Sequence, residues 1–405
     1  MEKNSIKKRS VEATVVFVLL AGIYMFPERI KYFSIVFVGL MVALALLKKW
    51  TFKKDYTILA ILLYMFVSIF GMASNNVSVS NLLEFDVSLL MALLVYGFWR
   101  SSDIRKKQII AIKYLGIICI LGCILQLINI DLLRKINTFT LGPEKYAIFD
   151  MFYRGGSLVG FSFQTGVTGF YLAIITLFFL IEYLEEKQYF ARKWGYLVAT
   201  GGSLVLTFFT GKRIFILLVA VISLALICSY YRKNAFKILV VSLLILVGIF
   251  LLLNYTEYGQ TIILKMSKID PTTGRRGINE QMINWFWESP IYGNGVTSTL
   301  SLLGGYQNGH NIYIQILSES GILGFVIIVP IFAKNLFQSI WIYNKARTIS
   351  IETKYCAMSI VIQTLFVGWG FTGNPLYDVY PLIVYMVAIG YMSEYRVEIL
   401  RLMKG

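Results

Sequence analysis

Residues 195–230 read GYLVATGGSLVLTFFT, then GKR, then IFILLVAVISLALICSY, and the short middle piece decides the topology. The flanking runs, 195–210 and 214–230, each approach the roughly 17–25 residues that a membrane-crossing helix needs. Only Thr210-Gly211-Lys212-Arg213 separates them. Read as one span, this stretch puts every later connection on the opposite side of the membrane. Read as two, it leaves them in place.

Working outward, apolar runs of about 16 to 22 residues also fall near 11–26, 32–47, 56–73, 82–99, 108–128, 164–183, 236–253, 311–333, 355–371 and 377–393. The expectation is therefore about twelve spans. Basic residues decide between the two readings of 195–230. Short runs such as Lys48, Lys49, Lys53 and Lys54, or Arg100, Arg105, Lys106 and Lys107, occupy every second connection. They place about 25 of the 38 lysines and arginines on one side, the positive-inside pattern. Two spans keep that alternation and one span inverts it. Both termini are expected in the cytoplasm. The first apolar run meets no small-residue cleavage site before Pro27-Glu28-Arg29, so it reads as a retained span.

Composition agrees. The chain has 405 residues, 57% hydrophobic and only 15% charged, too apolar to cover itself with polar surface in water. Its net charge of +16 lies in loops between spans, with no basic stripe on a soluble domain, so nucleic acid is not the partner. Cys119, Cys123, Cys228 and Cys356 sit in or beside apolar runs and read as small buried hydrophobes. The fold class is an all-α polytopic membrane protein, one transmembrane domain over 1–405. Two outer connections are long, 129–163 and 254–309, and long loops are often functional. Ile278, Met282 and Trp285 recur at helical spacing, so the second loop is expected to contain an amphipathic helix over 275–288, ended by Ser289-Pro290.

Candidate chemistry lies on the outer side. His310, the chain's single histidine, stands where the tenth span begins, in Asn308-Gly309-His310-Asn311-Ile312-Tyr313. It suits a general base, a proton donor to phosphate or a ligand; the plainer reading is an interfacial side chain bonded to a loop. Glu319 lies at a depth where a carboxylate needs a partner, either a cation or a basic catalytic residue. Lys212 and Arg213 face outward at a helix start, against both the charge rule and the helix dipole, and either meet an anion or snorkel to headgroups. Arg275 and Arg276 open the loop helix, a natural phosphate position, or pair with local acids. Arg154 precedes Gly155-Gly156. Arginine forks suit a pyrophosphate, and no acidic cluster suggests a metal.

His310-Asn311-Ile312-Tyr313 through Leu317, Glu319 and Gly321-Ile322-Leu323-Gly324 resembles the O-antigen ligase and polymerase family of bacterial membrane glycosyltransferases. Gly274-Arg275 followed by Pro290-Ile291-Tyr292-Gly293-Asn294-Gly295 is similar to that family's loop arginine and glycine turn, and Thr210-Gly211-Lys212-Arg213 to its Ser-Arg motif. The resemblance implies a fold like the GT-C glycosyltransferases and a glycan donor on undecaprenyl pyrophosphate. It implies that Arg213 and Arg275, with Arg276, Lys212 and Arg154 nearby, hold the pyrophosphate. His310 would bind phosphate or activate the acceptor hydroxyl, with Glu319, Asn311 and Tyr313 in support. Inverting transfer without metal or cofactor would follow, at the outer face of the cytoplasmic (inner) membrane. The product would be O-antigen or capsule, and the flippase and chain-length regulator of the same pathway would be partners. Two activities compete: a polymerase extending the chain onto the next lipid-linked unit, and a ligase moving it to lipid A–core. The Lys-, Ile- and Asn-rich composition points to an AT-rich, Gram-positive genome without lipid A, and so to the polymerase. The alternative from another class is a lipid-linked oligosaccharide flippase, which the lack of internal repeats and of midplane ions disfavours.

Overall fold

The computed structural model describes residues 18, 20–22, 24–26, 36, 55–70, 77–98, 102–244, 275–304 and 309–403. Expected spans 11–26 and 32–47, the second half of 236–253 and the loop segment 254–274 lie largely or wholly outside the described residues. Among those described, every regular element is helical. The helices are α1 (Tyr56–Phe70), α2 (Val79–Phe98), α3 (Ser102–Ile128), α4 (Ile130–Arg154), α5 (Thr165–Glu185), α6 (Phe190–Phe209), α7 (Arg213–Tyr230), α8 (Arg275–Glu288), α9 (Ser298–Leu302), α10 (Ile312–Thr348), α11 (Lys354–Trp369) and α12 (Val379–Leu402). A further helical stretch covers 235–244. Among the described residues five helices, within α2, α3, α5, α7 and α10, are long and apolar enough to cross a membrane.

The chain does break between α6 and α7. Gly211 takes a positive φ of 72°, a conformation that costs glycine least, and turns the chain in the space of Thr210–Lys212. Behind this turn lies α5, buried along almost its whole length at the centre of the bundle. Its Phe170 packs with Phe215 of α7 and Trp369 of α11, ring centroids 5.2 to 6.3 Å apart. Phe215 follows Lys212 by less than one turn, and Trp369 precedes Gly370, whose carbonyl accepts from Ile312 N–H at 2.9 Å. One aromatic cluster thus sets the register of the Lys212 turn against the start of α10.

α10 is longer than its apolar run. The run suggests an end near 333, with Lys334 beyond it, but the helix continues through Lys334 to Thr348. Asn335, Ser339 and Ile342 are buried there, so packing rather than lipid contact carries the helix on. α10 is also broken at Gly321, which sits at φ 63°, ψ −165°. A break at membrane depth frees backbone groups that must find partners. The turn 290–295 supplies them. Asn294 and Gly295 N–H donate to the carbonyls of Ser318 and Glu319 at 3.0 and 2.9 Å, and Ile322 and Leu323 N–H donate to those of Pro290 and Ile291 at 2.9 and 3.2 Å. Gly293 faces the Glu319 backbone so closely that a Cβ there would collide with it. The two glycine motifs singled out in the sequence are therefore the two sides of one crossing.

The connection 129–163 holds α4, kinked at Gly142-Pro143. Leu133, Leu141, Phe149 and Val159 close a small core of their own beside the bundle. Gln126 fixes its return: the side-chain oxygen accepts from Val159 and Gly160 N–H, both at 2.9 Å, and the amide donates to the Ser157 carbonyl.

Candidate active site

His310 immediately precedes the N-cap of α10. That cap is Asn311, whose side-chain oxygen accepts from Tyr313 and Ile314 N–H at 3.0 and 3.2 Å, satisfying donors that a helix start leaves free. Tyr313 donates its hydroxyl to the Val367 carbonyl at 2.8 Å and lays its ring against Phe371, centroids 4.8 Å apart. Asn374 donates its side-chain amide to the Gly309 carbonyl. Residues on both sides of His310 are thus tied to 367–374, leaving the imidazole half-buried at a fixed place.

α8 docks on the same segment. Met282, its one buried residue, packs under Gly309 so closely that a side chain at Gly309 would strike it. Asn294 holds the far end of α8, donating to the carbonyls of Trp285 at 2.8 Å and Ser318 at 3.1 Å. Met282 lies two turns from Arg275, about 10 Å along the helix. The docking brings Arg275 within electrostatic reach of His310 and of Lys212.

The three groups act on one another. Burial, then the charges of Arg275 and Lys212, push the His310 imidazole down to about 4. Burial, then Arg275, lowers the Lys212 ammonium, and burial lowers the Arg275 guanidinium. Among the described residues neither cation has a carboxylate within ion-pair distance. Arg275 Nε is buried with no hydrogen-bond partner among the described residues. Two desolvated cations beside a neutral imidazole form a site that favours an anion and has a base at hand.

The other sequence candidates go elsewhere. Arg276 is exposed and pairs with Glu280 at 2.9 Å, so Arg275 rather than its neighbour joins the cluster. Arg213 is exposed, whereas Lys212 is drawn in, the reverse of the order that the resemblance implies. Arg154, 74% exposed, pairs with Asp150 at 2.6 Å, and Asp150 also takes Arg134 at 3.2 Å. Glu319 supports the site differently from the expectation. It is fully buried and has no cationic partner among the described residues; its carboxylate accepts from Tyr377 Oη at 2.5 Å, Thr297 N–H at 2.9 Å, Thr299 N–H at 3.2 Å and Gln315 Nε2 at 2.9 Å. It therefore caps α9 and locks the 290–299 turn onto α10, fixing the loop that carries Arg275. Gln315, Asn374 and Tyr377 were not singled out by the sequence reading. For Gln315 and Tyr377 the sequence offers only an amide and a hydroxyl within apolar runs, which need buried partners; Asn374, between two runs, carries no such signal.

Residues 195–329 match the model of a family described as O-antigen ligase. The matched stretch contains Lys212, Arg275, His310 and Glu319. No curated protein matches the chain.

Proposed function

From the assignment to the O-antigen ligase and polymerase family that this match supports, we propose that the chain is a glycan polymerase of the membrane surface. In this reading it transfers a growing polysaccharide, O-antigen or capsule, from undecaprenyl pyrophosphate onto the next lipid-linked repeat unit. It works at the outer face of the bacterial cytoplasmic membrane, with both termini in the cytoplasm and about twelve spans in a GT-C-like arrangement. The observation that carries the reading is the meeting of Lys212, Arg275 and His310 with no neutralising acid among the described residues.

Lys212 and Arg275 hold the diphosphate, with Arg213 on the same helix start facing outward beside them. His310 is neutral at physiological pH because burial and the two cations depress its proton affinity. It accepts the proton of the acceptor hydroxyl as that oxygen bonds to the anomeric carbon. The bond from the anomeric carbon to diphosphate oxygen breaks on the opposite face, inverting the centre. Its electron pair leaves with the carrier diphosphate, whose new charge the two cations stabilise.

Purified protein given lipid-linked repeat units is expected to build a ladder of polymers, and His310→Ala to abolish it without loss of protein. An unchanged ladder would remove His310 from the chemistry. The second reading, ligase, has the family description in its favour. Glycolipids of a deletion strain separate the two. Single repeats stranded on the carrier mean polymerase, and long chains stranded there mean ligase.

A further inference from the structure

A hollow lies at the other end of the bundle from His310 and takes no part in the chemistry above. It is a cavity of about 260 Å³ between the start of α1, the end of α2 and the later turns of α10 and α12. Lys334 follows Ile312 by 22 residues of α10, roughly 33 Å of helix, against a bilayer core of about 30 Å. The hollow therefore sits at the opposite membrane boundary from His310. Its lining mixes charge with hydrocarbon. Lys334 and Arg396 are exposed at its rim, Asp55, Asn335 and Gln338 are further in, and Met392 and Leu400 give an apolar wall.

Neither rim cation meets a carboxylate within ion-pair distance among the described residues. Lys334 Nζ stands 4.4 Å above the Tyr56 ring. With its amide oxygen turned toward Arg396, Gln338 accepts from Nη1 at 2.5 Å and Nε at 3.3 Å, which aims the guanidinium without neutralising it. The one acid, Asp55, is already engaged: Oδ1 accepts from Thr57 N–H at 2.8 Å and Oδ2 from Tyr96 Oη at 2.5 Å. Asn335 is nine-tenths buried; its oxygen accepts from Thr57 Oγ1 at 3.3 Å, and its side chain is also engaged with the Tyr385 hydroxyl, so it is not available to a ligand. Two cations with no carboxylate partner among the described residues and a hydrocarbon wall at the membrane boundary match a phosphate attached to acyl chains.

We propose that this hollow binds the phosphodiester of an anionic phospholipid from the leaflet opposite the His310 face. Lys334 and Arg396 take the phosphate, and the Met392–Leu400 wall takes the first methylenes. Since α1, α2, α10 and α12 all contribute, the bound lipid joins four helices that are separate in sequence.

The test needs no glycan. Full-length protein, purified and delipidated in detergent, is titrated with phosphatidylglycerol, with diacylglycerol of the same chains, and with inorganic phosphate. Thermal unfolding and native mass spectrometry are the readouts. Phosphatidylglycerol is expected to raise the melting temperature and remain bound; the other two are expected to do neither. Lys334→Gln with Arg396→Gln should weaken phosphatidylglycerol binding at least about tenfold, the order expected from losing charge-assisted contacts, while the lipid-free melting temperature holds. The single Lys334→Gln variant gives the same comparison at smaller size if the double variant does not fold. Equal lipid affinity in the variants overturns the proposal. So does stabilisation by diacylglycerol, which carries no phosphate, or equal stabilisation by inorganic phosphate, which would make the ligand a soluble anion.

Discussion

Two pairs of cations in this chain look alike in the sequence and differ in the fold. Lys113 and Lys354 share one acid, Glu182, whose two oxygens lie 2.9 and 2.6 Å from their ammonium groups. Among the described residues Lys212 and Arg275 share no acid; Arg275 lowers Lys212, and both lower the His310 imidazole. The first pair ties α3, α5 and α11 together and has its counter-charge within the protein. The second has been brought together at an electrostatic cost that the diphosphate of the proposed donor would relieve. Similar side chains are mortar in one place and, in the proposed function, a receptor in the other, and the presence of a carboxylate makes the difference.

Breaking the second pair should therefore cost chemistry, and breaking the first should cost stability. The largest effect is expected from His310→Ala, with polymer synthesis from lipid-linked units falling below detection in a gel ladder assay. Arg275→Gln or Lys212→Gln should lower turnover by about 10²–10³, the usual size for a lost charge-stabilising donor, whereas Arg276→Gln, whose partner is Glu280, should stay near the parent rate. Glu182→Gln should leave the rate alone and destabilise the fold by about 2 kcal/mol, read as a lower melting temperature.

A pH profile sharpens the comparison further. His310 must be neutral to accept a proton, so rate falls as pH drops through its pKa. In kcat/KM, which reports the free enzyme, that limb should lie near pH 4. In kcat it should move to higher pH, because a bound diphosphate offsets the two cations that hold the imidazole down. Arg275→Gln should raise the kcat/KM limb for the same reason. A limb unmoved by that substitution would mean that the two groups do not communicate.

The division of 195–230 at Gly211 is legible in the sequence because charge alternation is a long-range rule that needs no contacts. The all-helical class follows from composition in the same way. What sequence could not show was direction. Lys212 and Arg213 are adjacent, and only the turn at Gly211 decides which one faces Arg275 and His310. Glu319 was legible as a buried acid needing partners but not as the cap of α9, since Thr297, Thr299 and Tyr377 are distant in sequence. The length of α10 was hidden because Asn335 and Ser339 read as polar and are nonetheless buried against neighbouring helices.

The break at Gly321 has a mechanical meaning. It divides α10 into a short stub, Ile312–Ser320, and a long shaft, Ile322–Thr348, joined through the 290–295 turn. Helices tilt as the bilayer around them thins or thickens. Were the shaft to pivot at this hydrogen-bonded joint, it would take up such tilt without rotating the stub, and His310 would keep its place beside Lys212 and Arg275. The joint would then act as a suspension between the shaft that follows the bilayer and the stub that carries the proposed site. Turnover in bilayers of short and long acyl chains should accordingly differ little, while Gly321→Ala, which disfavours the joint's backbone conformation, should make the rate depend on chain length.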